Sequence, residues 1–137
     1  MFSPLQRGGV AGAGTNAAPA CLQVTAPCGT VPAGAPTGAF VRESRSIVQL
    51  QKNQGHEVGG GAYPGNFSVS LWGAGDKTGH LLAERMNDER PSLSFYELEV
   101  FIRNETAPGQ YILQAQYNTA NPAAPATFFQ CADVTVL

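Results

Sequence analysis

Alternation of apolar and polar residues is the strongest regularity in this chain, and it has the two-residue period of half-buried strands. Phe67, Val69 and Leu71 fall on one side of a segment running to Trp72, with Asn66, Ser68 and Ser70 on the other side, expected to face solvent. Leu98, Val100 and Ile102 alternate with Glu97, Glu99 and Arg103. Tyr111, Leu113, Ala115 and Tyr117 alternate with Ile112, Gln114 and Gln116, and Ala132, Val134 and Val136 oppose Cys131, Asp133 and Thr135. Ile47 to Gln51 reads as a further strand, whereas Leu81 to Asn87 fits a strand or a short helical turn. At least five strands with one apolar face each stack as two sheets, so the pattern predicts an all-β sandwich.

The first third breaks this pattern. Residues 1–39 hold Gly8, Gly9, Gly12, Gly14 and three Ala-Pro steps but few bulky apolar groups, so they cannot build a core of their own. They are expected to form an arm packed on the strand-rich residues 40–137, or on a neighbouring copy, within one domain spanning 1–137. The glycine-rich run Gly9 to Gly14 has no strand before it and reads as a loop, not as a phosphate cradle.

Composition narrows the function classes. The 137 residues are 13% charged, with 16 Gly and 10 Pro, as suits a turn-rich β protein. A net charge of −2 with scattered Lys and Arg supplies no electrostatic footprint for nucleic acid. No apolar run approaches the roughly 20 residues of a membrane-spanning helix. Met1-Phe2-Ser3-Pro4 is not the start of a signal peptide, yet Asn66-Phe67-Ser68 and Asn104-Glu105-Thr106 are N-glycosylation acceptors. Together these lead us to expect a mature or trimmed extracellular chain, associated with a cell surface or wall.

Several short segments share one likeness. They are Ser3-Pro4-Leu5-Gln6-Arg7-Gly8-Gly9, Asn53-Gln54-Gly55-His56 followed by Pro64-Gly65-Asn66-Phe67-Ser68-Val69-Ser70, Pro108-Gly109-Gln110-Tyr111, and Thr127-Phe128-Phe129-Gln130-Cys131-Ala132-Asp133-Val134. In this order they resemble secreted lytic polysaccharide monooxygenase-like domains, the copper histidine-brace β-sandwiches that include chitin-binding members. The resemblance implies an immunoglobulin-like or fibronectin-like antiparallel sandwich with a long irregular N-terminal segment. It also implies copper as the cofactor and polysaccharide or another glycan as the partner. In such a site the amine and ring of a first histidine join a second imidazole, because three nitrogens in a T suit a tetragonal copper ion. His56 matches the second ligand, Phe128 the axial aromatic and Gln130 the polar neighbour. Met1 stands about where the first ligand belongs, so the residues before it in the precursor decide whether the brace can be complete.

The same resemblance implies a Cys28–Cys131 disulfide tethering the N-terminal loop to the last strand, with Cys21 free or joined to another molecule. Pairing of Cys21 with Cys131 is the alternative, and Cα separation decides between them. Other candidates are weaker in chemistry. His80 has no second histidine at chelating distance in sequence. Glu97 and Glu99, two apart on a strand, read as a solvated face rather than a hydrolytic carboxylate pair. Trp72, Tyr63, Tyr96 and Tyr117 could form a sugar-stacking platform; in the alternative, Tyr111 and Tyr117 are core residues and the others loop anchors. No nucleophile elbow or phosphate loop is present.

Two functions fit these residues. One is an extracellular glycoprotein, non-catalytic as the sequence stands, that binds carbohydrate or a partner or assembles with itself through the arm. The other is a copper-dependent polysaccharide monooxygenase, or a copper-binding protein, whose first histidine lies outside this chain.

Overall fold

The computed structural model describes residues 1–9, 19–56 and 64–137. A short 3-10 turn, Pro19–Cys21, is followed by seven strands: β1 (Gly38–Phe40), β2 (Arg45–Gln51), β3 (Asn66–Trp72), β4 (His80–Met86), β5 (Phe95–Phe101), β6 (Gly109–Asn118) and β7 (Thr127–Val136). They form a five-stranded sheet of order β1-β7-β6-β3-β4 and a two-stranded sheet of β2 and β5, stacked as a sandwich. Among the described residues no helix is long and apolar enough to cross a membrane.

The alternation read from the sequence sets which face of each strand is inside. Leu113 and Ala115 of β6, Ala132, Val134 and Val136 of β7, and Phe67, Val69 and Leu71 of β3 meet Val48, Leu50, Tyr96, Leu98 and Val100 of the smaller sheet in one core. The segment with an ambiguous period is strand β4, paired with β3 across a bulge at Val69/Ser70. Pairing is antiparallel throughout except at β1, which lies parallel to β7 with Gly38 opposite Val134. A Cβ at Gly38 would come within 2.8 Å of Pro4 Cβ, so only glycine lets the N-terminal segment cross this strand so closely.

Strand β3 departs from the sequence expectation on its polar side. Ser68 and Ser70 are buried rather than solvent-facing, and Asn66 beside them is only half-exposed. The cause is the N-terminal arm, whose residues Arg7, Gln23, Pro27 and Gly34 bond to the outer face of the large sheet. Gln114, opposite Ser70, is completely buried and donates through Nε2 to the Pro27 carbonyl at 2.7 Å. Phe129 N donates to Gln23 O at 2.8 Å, and Asp133 accepts from Gly34 N at 2.8 Å. Arg7 closes on the same carboxylate with two hydrogen bonds, Nε to Oδ2 at 2.8 Å and Nη2 to Oδ1 at 2.5 Å. These bonds hold the Asp133 carboxyl below its ordinary pKa of 3.8, with Arg7 the largest cause.

Cys28 and Cys131 form the disulfide, with Cα atoms 5.5 Å apart, and Cys21 is a half-buried free thiol. The alternative pairing of Cys21 with Cys131 is thereby excluded. The bridge links residues 103 apart, for which loss of unfolded-chain entropy corresponds to at most about 4–5 kcal/mol. The double variant Cys28→Ala/Cys131→Ala should therefore unfold at clearly lower urea concentration than the oxidised protein. Equal midpoints would show that the bonds to Asp133 and Gln114 hold the arm without it.

Candidate functional site

One end of the sandwich gathers the residues that the sequence reading singled out. Phe128 and Gln130 lie on the core-facing side of β7, opposite Tyr117 and Ala115 of β6. The His56 imidazole, just past the end of β2, stacks on Phe128 with centroids 4.9 Å apart and planes 22° apart. Tyr117 lies beside both, 5.9 Å from His56 and 6.4 Å from Phe128, and itself stacks on buried Phe67 at 4.7 Å.

Hydrogen bonds fix His56 through its backbone. Its N–H donates to Tyr117 Oη at 3.2 Å, and its carbonyl accepts from Asn121 Nδ2 at 2.6 Å. Gly65, at the entry to β3, is required here. It has φ of +68°, and a Cβ would meet the Asn118 carbonyl oxygen at 2.0 Å.

Beneath the rings runs a polar network. Asn87 Nδ2 donates to Tyr117 Oη at 3.3 Å, while Asn87 Oδ1 accepts from Tyr96 Oη at 2.9 Å and from Lys52 Nζ at 3.3 Å. Lys52 is 2% exposed, which the desolvation cost of an ammonium permits only with such contacts. Its position was legible: it continues the inward alternation of Val48 and Leu50. Asn87 and Asn121, both in loops, carried no periodic signal.

These residues border a cavity of about 100 Å³, walled by apolar Leu22, Leu50, Phe67 and Phe128 and by Gln51, Asn53, Gln54 and Gln130. Gln51 Oε1 is buried and has no hydrogen-bond partner among the described residues. At the inner wall the α-amino group of Met1 donates to the side-chain carbonyls of Gln6 and Gln130. Gln6 Nε2 also approaches Cys21 Sγ at 3.7 Å. Burial pushes the Met1 amine down from 8.0 to about 5, with Cys21 opposing the shift, so the amine is neutral at pH 7.

The remaining candidates lie elsewhere. His80 opens β4 and is exposed, and Glu97 and Glu99 lie on the solvent face of β5, where Glu99 pairs with Arg45. The four-ring platform is not assembled: Tyr96 is completely buried, and Tyr63 lies outside the described residues. Trp72 sits on the outer face of the large sheet, donating to Gln114 Oε1 at 3.3 Å, at the end of β3 away from Tyr117. Of the described members of that set, only Tyr117 belongs to this site.

No protein-family model and no curated protein matches the chain. Solved structures do. An AA10 lytic polysaccharide monooxygenase from Streptomyces lividans superposes with a TM-score of 0.52 at 13% identity, over 96% of this chain and 75% of that one. The likeness is one of fold. A monooxygenase from Kitasatospora papulosa matches at 17% identity and a TM-score of 0.46, over 73% of this chain and 50% of that one. A lytic polysaccharide monooxygenase solved in complex with zinc matches at 18% and 0.47, over 71% and 50%. The chain thus spans about half the length of these last two. At such identities the comparison supports a lytic-monooxygenase-like immunoglobulin-type sandwich and assigns no activity.

The buried amine has a pH consequence. An amine whose pKa falls from 8.0 to about 5 on folding binds more protons in the unfolded chain between those values, so stability rises with pH across this window. The full shift corresponds to about 4 kcal/mol. Urea midpoints of the chain with a free Met1 amine should climb from pH 5 to pH 8, and the climb should persist in His56→Phe, which removes the imidazole titration. A flat profile in that variant would contradict burial of the amine.

Proposed function

We propose that the protein is an extracellular carbohydrate-binding sandwich that engages polysaccharide at its His56 end. The observation that carries this reading is the stacked His56–Phe128 pair at the rim of an apolar cavity edged with amides. A pyranose ring presents C–H groups that pack on aromatic faces, and hydroxyls that pair with carboxamides. The sandwich fold is that of proteins described as polysaccharide monooxygenases, which supports the substrate class, and the disulfide fits an oxidising extracellular setting.

Depletion from solution by insoluble chitin and by cellulose tests this reading. Phe128→Ala and His56→Ala should each bind about tenfold more weakly, the loss of roughly one aromatic contact, while keeping the wild-type circular dichroism. Absence of wild-type depletion by either polymer, or unchanged binding in both variants, would refute it.

A copper-dependent oxidoreductase is the second reading, favoured by convergence of His56, Phe128, Gln130 and a neutral amine on one place. The donors do not fit the brace as they stand. One imidazole, one thiol and one α-amine replace two imidazoles and an amine, and no group of three His, Cys, Asp or Glu side chains among the described residues could hold a metal. Calorimetric titration of this chain with copper(II) should give affinity weaker than about 1 μM that is insensitive to His56→Ala. Tighter binding, lost in that variant, would favour the second reading.

A further inference from the structure

We propose that Asn104, and not Asn66, carries an N-linked glycan when the chain passes through a secretory compartment, and that this glycan projects from the end of the sandwich opposite the cavity. Both asparagines stand in acceptor triplets, Asn66-Phe67-Ser68 and Asn104-Glu105-Thr106, but the fold treats the triplets differently.

Asn66 begins β3, which is paired on both sides, with β4 and with β6. Its carboxamide is engaged at both ends: Nδ2 donates to Glu84 Oε1, and Oδ1 accepts from Asn118 Nδ2 at 2.7 Å. The next two residues of the triplet are buried, Phe67 at 3% and Ser68 at 7% exposure. A sugar on Nδ2 would displace Glu84 and crowd the strand pairing beside Tyr117. Chains modified there would lose sheet contacts that the folded protein needs.

Asn104 lies in the turn joining β5 to β6, and residues 103–105 are exposed. The hydrogen bonds here are through the backbone, from Arg42 Nη1 to the Asn104 carbonyl at 3.4 Å and from Thr106 N to the Arg103 carbonyl at 3.1 Å. A glycan on the carboxamide leaves both in place. Because β6 runs from Gly109 near this turn to Tyr117 at the cavity, the two places are separated by about 26 Å of strand. The cavity stays open to a ligand with the glycan attached.

The transfer is a substitution at carbon. Asn104 Nδ2 forms a bond to C1 of the first sugar of a polyprenyl-diphosphate-linked oligosaccharide, the C1–O bond to the diphosphate breaks, and the amide gives up one proton. The polyprenyl diphosphate leaves, and nothing is oxidised or reduced.

The test is secretion of the full chain from cultured eukaryotic cells, followed by enzymatic removal of N-glycans in ¹⁸O-water and peptide mapping. We expect the ¹⁸O-labelled aspartate at position 104 and unlabelled asparagine at position 66. On gels, Asn104→Gln should abolish the glycan-dependent mass shift and Asn66→Gln should retain it. Thr106→Ala removes the acceptor while keeping Asn104, and should also abolish the shift if Asn104→Gln fails to be secreted. Label at position 66, a shift that survives loss of the Asn104 acceptor, or an unglycosylated wild-type chain would each overturn the proposal.

Discussion

The ten-residue antiparallel pairing of β6 with β7, unbroken from Gly109↔Val136 to Asn118↔Thr127, is the constraint on which the rest of the molecule depends. Its register has a period of two, so a slip by one residue would turn Leu113, Ala132 and Val134 outward and Gln114, Cys131 and Asp133 inward. In the observed register one side of the ribbon supplies the centre of the core and the other supplies Gln114, Cys131 and Asp133, which hold the arm at Pro27, Cys28, Gly34 and Arg7. The same register sets Phe128 across from Tyr117, and this pairing establishes the aromatic corner that His56 completes.

A sheet with two covered faces needs polar groups on the second face to be satisfied rather than merely hidden. Gln114 shows how this is met. Its carboxamide donates to Pro27 O and accepts from Trp72 Nε1 and Gln116 Nε2, so complete burial strands no donor. Asp133 plays the same part lower on the strand, receiving Arg7 and Gly34. The arm has few bulky side chains to bury, and it is held by directed bonds and one covalent link instead of by area. Small residues suit that role because the backbone itself must approach the sheet, as Gly38 does against Pro4.

What was legible in the sequence follows from this division. The core-facing side of each long strand was readable because burial there imposes the two-residue period, and Lys52 falls inward on the same rule. The outer face was not. Ser68, Ser70 and Gln114 look like solvent-facing residues, since a chain that will be covered by hydrogen-bonded backbone uses the same polar side chains as one left in water. Cys28 was assigned a partner only by likeness to a family, and chain spacing alone would have left Cys21 equally eligible. At the site, Phe128 and His56 stood out by type, whereas Asn87 and Asn121 act from irregular loops whose long-range partners no local pattern encodes. Tyr96 was offered as a surface ring and is instead interior, because its strand alternation with Leu98 and Val100 outweighs its hydroxyl, which Asn87 satisfies.

The order in which the chain is made gives the Cys28–Cys131 link a further meaning. A ribosome releases the arm first and β7 more than a hundred residues later, so during synthesis the arm has no surface on which to settle and Cys28 no partner. Contacts of such large sequence separation form slowly. Until β7 pairs with β6, Cys28 and Cys131 are not held at bridging distance. Closure of this bridge is therefore a late event that reports completion of the whole sheet, and a chain that stalls before Cys131 leaves Cys28 without its partner.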